Sequence, residues 1–382
     1  GAHYHQDDIK AKDPQSGTED PQVEWTNPAL FALSEWDVTD RLRFDAGLRW
    51  DRFTLDSNAP AFSKLNSTVQ NAINNGSFSL DDLELDETDD AVTGGLGLVY
   101  SLTDQINLVS NVGYAFRAPN KSDMLNFGQF TYGFNVPSPN LDPEKSYTYE
   151  LGLKSSSPNF SSAVTGFYTT VDDAIVSEES TFAGSDFVDV NGNGIKDSGE
   201  QVYKKKNSND RLAVYGVELE GKWYLPSDWT EPLVQDNAFS TYGNFAWIYG
   251  EDKGVHEPMD RAYPTNALLG VRIENDRNPN ERRWWAGIEA WMVRHFDRIP
   301  SSRLNSDPAF KQDPQDSSSF LLRSDGSVPG FTLFNLRGGV KLSHKVTLTL
   351  AVDNFTDKKY RVKDSRIDGP GINFVTGLEV VF

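Results

Sequence analysis

Val38–Asp51 reads "VTDRLRFDAGLRWD": a three-residue turn, then Leu42, Phe44, Ala46, Leu48 and Trp50 alternating with Arg43, Asp45, Arg49 and Asp51. Strict period-2 alternation describes a β-strand with one apolar and one polar face. The pattern recurs outward along the chain. Tyr147, Tyr149, Leu151 and Leu153 alternate with Thr148, Glu150 and Lys154, and Val217, Leu219 and Trp223 with Glu218, Glu220 and Lys222. Val346, Leu348, Leu350 and Val352 stand against Thr347, Thr349 and Asp353. About fourteen strands are predicted, near 1–9, 28–38, 41–54, 90–102, 105–117, 145–156, 159–172, 211–225, 236–250, 261–275, 282–297, 330–342, 345–356 and 371–382.

Alternation alone does not separate a soluble sandwich from a membrane barrel; the connections do. "VTD", "LTDQ", "SSSPN" and "LSHK" are tight, and 226–235 and 275–281 only moderately longer. Between them lie the long connections 55–89, 118–144, 173–210 and 298–329. Short turns on one side and long loops on the other are the asymmetry of an outer-membrane β-barrel. A sandwich or propeller has no reason to sort its loops in this way. The last strand, "GINFVTGLEVVF", sets Ile372, Phe374, Leu378, Val380 and Phe382 on one face; with its end in the periplasm, every long connection falls outside the cell.

Composition agrees with an all-β transmembrane antiparallel barrel. No apolar run approaches the roughly 18 residues of a spanning helix, and mean hydropathy is −0.53, yet the chain holds 9 Trp, 14 Tyr and 23 Phe. Low hydropathy with many aromatics fits a barrel, where alternate residues face lipid and aromatic girdles mark the interfaces. The net charge of −20 argues against a nucleic-acid partner, whose phosphates need a basic face. Cysteine is absent, which excludes disulfides, thiol catalysis and Cys-based metal centres. No nucleophile elbow, phosphate loop or Ser/His/Asp order suggests an enzyme. The run "LDDLELDETDD", with seven carboxylates from Asp81 to Asp90, reads as a solvated loop.

Several segments together resemble the C-terminal barrel region of TonB-dependent outer-membrane receptors: "NVGYAFRAPNKSDML" with "SPNLDPEKSYTYELGLK", "RLAVYGVELEGKWYL", "EPMDRAYPTNALLGVRIE", and "PGFTLFNLRGGVKL" leading to "TLAVDNFTDKKYRVKDSRIDGPGINF". The resemblance implies a 22-stranded barrel in the bacterial outer membrane, of which about fourteen strands are present, with an N-terminal plug held in its lumen. It further implies TonB-dependent uptake of a scarce ligand, an iron chelate of siderophore type being the commonest, with energy delivered by the TonB complex through the plug. An open fourteen-strand sheet would leave two edges unpaired in lipid, so the missing strands and plug are expected from a longer natural chain or a second one. Haem receptors sharing these segments carry an axial His in the intervening loop; Asn120–Asn140 has none, which disfavours haem. The competing class is a non-transporting, calcium-stabilised adhesin or glycan-binding barrel.

Two candidate sites fall in the long connections. "DVNGNGIKDSGE", Asp189–Glu200, has nearly the spacing of an EF-hand loop. Asp189, Asn191, Asn193, Asp197, Glu200 and a carbonyl at Ile195 are candidate oxygens for a structural Ca²⁺, with Gly192, Gly194 and Gly199 permitting tight winding. Its departures are Lys196 at position 8, with Ile195 one place early, and flanks without helical pattern. The second site is aromatic: Phe127, Phe130, Tyr132 and Phe134 in "NFGQFTYGF" either stack on an entering ligand or pack loop against loop.

Overall fold

The computed structural model describes residues 1–10, 18–77, 79–130, 133–234, 237–259, 262–278, 280–301, 327–365 and 367–381. Tyr132, Phe382 and most of the 298–329 connection lie outside the described residues.

Fourteen strands form one antiparallel meander in chain order: Ala2–Ile9, Gln22–Thr39, Leu42–Asn58, Leu85–Ser101, Ile106–Arg117, Glu144–Ser156, Phe160–Asp172, Leu212–Tyr224, Ala238–Asp252, Asn266–Glu274, Trp284–Val293, Phe331–Ser343, Val346–Asp353 and Asn373–Val380. Each predicted strand has its counterpart. The two-residue strand Glu257–Pro258 adds to the edge of Ala238–Asp252. Among the described residues the first and last strands do not pair with one another, so the sheet stands open.

Register carries one apolar face across the whole meander. Ala46 faces Leu96, Leu96 faces Val112, and Val112 faces Tyr149. Further on, Ile288 faces Leu336, Leu336 faces Val352, and Val352 faces Phe374. This face is open: Leu151 is 59% exposed and Leu378 64%. In water such a surface would carry a large hydrophobic penalty; in lipid it carries none. Aromatic residues collect at both rims of the face. Trp36, Tyr100, Phe160, Trp223 and Trp284 sit at the short-turn rim, and Tyr147, Tyr149, Tyr168 and Trp247 at the long-loop rim. These are the two girdles that the composition implied.

The opposite face is polar and hydrogen-bonded. Glu289 accepts from Tyr242 Oη (3.2 Å), Asn335 Nδ2 (3.3 Å) and Arg337 Nε (2.6 Å). Near the short-turn rim the fully buried Glu274 carboxylate accepts from Tyr224 Oη (2.6 Å) and lies 2.9 and 2.7 Å from the Nε atoms of Arg272 and Arg282. Burial of a carboxylate is tolerable only with such partners. Glu150, expected on this face, accepts from Asn111.

Three strands run further past the long-loop rim than the alternation indicated. Gln22–Thr39, Leu42–Asn58 and Leu85–Ser101 continue together, so residues 85–89 of the acidic run are strand rather than loop. Here Val23 and Leu55 are covered by the long connections rather than by lipid, while the acidic run itself keeps contact with water, so no apolar period runs through Leu85–Asp90. Its acidic charge is partly answered by Arg52, whose guanidinium makes two bonds to Asp90 (3.0 and 2.8 Å). Beyond Thr26 the pairing with Leu42–Asn58 skips Asn27 and Pro28, since Pro28 lacks the N–H a ladder needs.

Candidate functional site: a cap built from three connections

The connections 59–84, 118–143 and 173–211 are not independent loops. They assemble into one small body with its own apolar core. In the first, Asn66 caps the helix Ser67–Asn74 by accepting from Val69 N (2.9 Å). Leu65, Val69 and Ala72 then fall on one face, at i, i+4 and i+7, and are buried. In the second, Asn120 and Asp123 form a reciprocal capping box on the short helix Lys121–Met124. Arg117 joins that helix to the following strand, bonding Asp123 (2.6 Å) and Glu144 (2.5 Å). This assigns the Arg117 segment to shaping the strand end.

The second and third connections share a four-stranded sheet in the order Ile175–Glu179, Val202–Asn207, Gly133–Asn135, Gly128–Phe130. Val202–Asn207 runs parallel to Gly133–Asn135, pairing Val202 with Phe134 and Tyr203 with Asn135. Gly133 is required there by close approach: a Cβ would lie 2.5 Å from both Gln201 O and the Tyr203 ring. Leu65, Val69, Ala72 and Leu83 from the first connection, Phe134 and Val136 from the second, and Val188 and Val202 from the third form the core. Each of these side chains other than Ala72 contributes roughly 1.5–3 kcal/mol relative to exposure. A second cluster, Val23, Leu55, Met124, Leu125 and Leu141, seats the cap on the strand ends.

The four aromatic candidates divide. Phe134 is fully buried and packs loop against loop, and Phe127 lies against the same core. Phe130 is 36% exposed and meets the Tyr203 ring edge-on at 5.3 Å. Tyr132 is outside the described residues. Tyr203 was not a sequence candidate, because only the parallel pairing brings it beside Phe130. Its hydroxyl donates to Glu179 (3.2 Å), and partial burial pushes the phenol above its ordinary pKa. Elsewhere on the cap the acidic run lines a hollow of about 340 Å³ with Asp81, Asp82, Glu84, Asp86 and Glu87, and Lys204 opposes them.

The Asp189–Glu200 loop is wound around its own oxygen-bearing side chains. Asp189 accepts from the backbone N–H groups of Gly192 (2.6 Å), Asn193 (3.2 Å) and Gly194 (2.8 Å). Asp197 Oδ2 lies 2.6 and 2.8 Å from the amide nitrogens of Asn191 and Asn193. Glu200 is buried and accepts from Val190 N (3.0 Å) and Asp197 N (2.9 Å). Gly192, Gly194 and Gly199 have φ of +75°, +71° and +84°, which a side chain would strain. The Ile195 side chain is exposed. Among the described residues no three His, Cys, Asp or Glu groups gather as a metal centre; the candidate oxygens here include two amides and a carbonyl. Asn75 ties the loop to the first connection, donating to Asp189 O (2.9 Å).

Comparison with known proteins gives this architecture a family. The sequence pattern described as "TonB dependent receptor-like, beta-barrel" matches residues 1–355. "Hemoglobin-haptoglobin utilization protein B" of Neisseria meningitidis serogroup A is 24% identical over 336 residues, 85% of this chain and 38% of the relative. Among solved structures, "Copper transporter OprC" superposes with a TM-score of 0.66 at 17% identity, over 100% of this chain and 52% of that one. The Pseudomonas aeruginosa ferric enterobactin receptor PfeA, a mutant in complex with enterobactin, gives 0.61 at 16% identity, over 99% and 59%. The chain thus spans between about two fifths and three fifths of the length of these proteins. The polar face is then the inner wall, the apolar face the lipid side, and the chain belongs to the TonB-dependent receptor family as part of its β-barrel.

Proposed function

We propose that this chain forms the wall and part of the outer gate of an outer-membrane importer, and that its cargo is an iron chelate delivered by TonB-dependent uptake. The observation that carries this reading is the cap. Three connections at the rim where an external ligand arrives are already organised by a shared core, as a preformed site requires. The Phe130–Tyr203 edge offers stacking surface there. The carboxylates of the acidic hollow on the same cap repel an anionic chelate, so the charge favours a neutral or cationic complex, such as a ferric trihydroxamate, over a catecholate. Similarity to the haemoglobin–haptoglobin utilisation protein favours a haem-protein cargo as the second reading, against which stands the His-free 120–140 segment. Nothing in the comparisons supports an adhesin.

The test is growth of an iron-starved, receptor-deficient host expressing the full-length receptor. Ferric trihydroxamate should restore growth only when TonB is present. Rescue by haemoglobin–haptoglobin instead would select the second reading, and rescue without TonB would defeat both.

We further propose that Asp189, Asn191, Asn193, Asp197, Glu200 and the Ile195 carbonyl hold a structural Ca²⁺. Support comes from the donor chemistry, hard oxygens from side chains all turned into one loop. The ion would offset two of the three carboxylate charges and stiffen the tip of the third connection.

A further inference from the structure

The lipid face is interrupted at one place. Gly221 and Gly243 face each other directly across neighbouring strands, and beside them Ala267 faces Phe245 on one side and Met292 on the other. Gly221, Gly243 and Ala267 leave low points between the larger Phe245, Leu269 and Met292, and there the wall is hollowed. Two adjoining hollows of about 490 and 580 Å³ share Phe245 and Ala267, and together they run from Trp223 near the short-turn rim towards the long-loop rim. Leu219, Trp223 and Leu269 flank the lower one.

The upper hollow ends in charge. Arg294 and Lys358 both line it, and both are exposed. Arg294 continues the outward alternation of Ile288, Ala290 and Met292, so it stands on the lipid side rather than in the lumen. Lys358 comes from the connection between the last two strands. Neither cation has an ion-pair partner among the described residues, although the chain carries a net charge of −20. Carboxylates are plentiful, so two unanswered cations at the head of an apolar groove call for an anion from outside the chain.

We propose that this groove is a docking site for a phosphate-bearing lipid of the outer leaflet, its acyl chain lying over Ala267 and Gly243 and its phosphate between Arg294 and Lys358. The inference rests on the outer-membrane reading above. An Arg and a Lys beside one anion suit a phosphate, the first through its planar fork and the second as a point charge. A neutral lipid would leave the cations unmet, and a free phosphate would leave the groove unfilled.

Native mass spectrometry of the full-length receptor in detergent tests this, with dioleoyl phosphatidate, the matching diacylglycerol and inorganic phosphate as probes. Phosphatidate should be retained, and the other two should not. Each of Arg294→Gln and Lys358→Gln should weaken retention by about tenfold, the worth of one charge-assisted contact. Ala267→Trp should block the groove without touching the cations and lower retention as well. Heat-modifiable gel migration reports that each variant is folded, and Lys358→Gln, outside the sheet, carries the test if another variant is not. Equal retention by folded wild type and Lys358→Gln, or equal retention of diacylglycerol and phosphatidate, overturns the proposal. Since no uptake is measured, these outcomes are independent of the growth assay for cargo.

Discussion

Phe134→Ala is the sharpest perturbation of the cap. The ring is fully buried between side chains from all three connections, so its removal leaves a cavity walled by elements that cannot collapse without leaving the strand ends. Truncating a buried Phe costs roughly 3–5 kcal/mol, and each 1.4 kcal/mol is tenfold in an equilibrium. Opening of the cap should therefore rise about a hundred- to a few thousand-fold, provided the cap opens without the wall. The assay is hydrogen exchange on the full-length receptor, following peptides from 62–77, 128–136 and 185–205 against peptides from wall strands such as 144–156. All three cap segments should lose protection together while the wall keeps its own. Loss confined to 128–136 would refute the shared core, and loss spreading into the wall would refute a cap that opens by itself.

Four further outcomes follow from the geometry. Gly133→Val should release Val202–Asn207 from its parallel partner, seen as protease cleavage between 180 and 205, since its Cβ would meet Gln201 O. Chelation by EGTA should speed cleavage within 189–200 in the wild type and leave Glu200→Gln unaffected; no change in the wild type would count against a calcium role. Lys196 donates to Asp186 (2.9 Å) and holds that carboxyl below its ordinary pKa. The sign is that of a depressed acid, so this contribution is present above about pH 4 and lost as pH falls below it; Lys196→Gln should abolish that acid-side rise in cleavage. Glu274→Ala strands Arg272 and Arg282 at a buried site, an effect of about 3–5 kcal/mol, and should lower the temperature at which the barrel loses its folded migration on a gel.

The wall was legible in the sequence because its two faces meet different solvents. Leu42 to Trp50 must alternate when one side is lipid and the other an aqueous lumen, and the strands around Tyr147, Val217 and Val346 carry the same mark. The extension of Leu85–Asp90 carried none, since it lies beyond the lipid and what covers Leu85 there is the cap, through Val23 and Leu55. The cap was hidden for a different reason. Gly133–Asn135 and Gly128–Phe130 are too short for any period, and the partner of Phe134 lies at Val202, beyond two wall strands. Residue types marked the aromatic segment as important, but only long-range pairing separates Phe134, which fills the core, from Phe130, which lies at the edge beside Tyr203. The Asp189–Glu200 loop was readable because its pattern is local; its anchorage through Asn75 was not.

The parallel pairing of Val202–Asn207 with Gly133–Asn135 also bears on how the cap comes into being. Free in solution, those two segments would have to close a loop of about seventy residues for a handful of hydrogen bonds, a loss of entropy they could not recover. The hairpin Glu144–Asp172 between them, once embedded, brings their roots together beforehand, much as a disulfide shortens a chain's unfolded excursions. A cysteine-free cap can thus hold a small core because the membrane wall is its crosslink. A peptide cut from any one connection would lack both core and crosslink, so cargo and ion alike should be sought with the intact barrel.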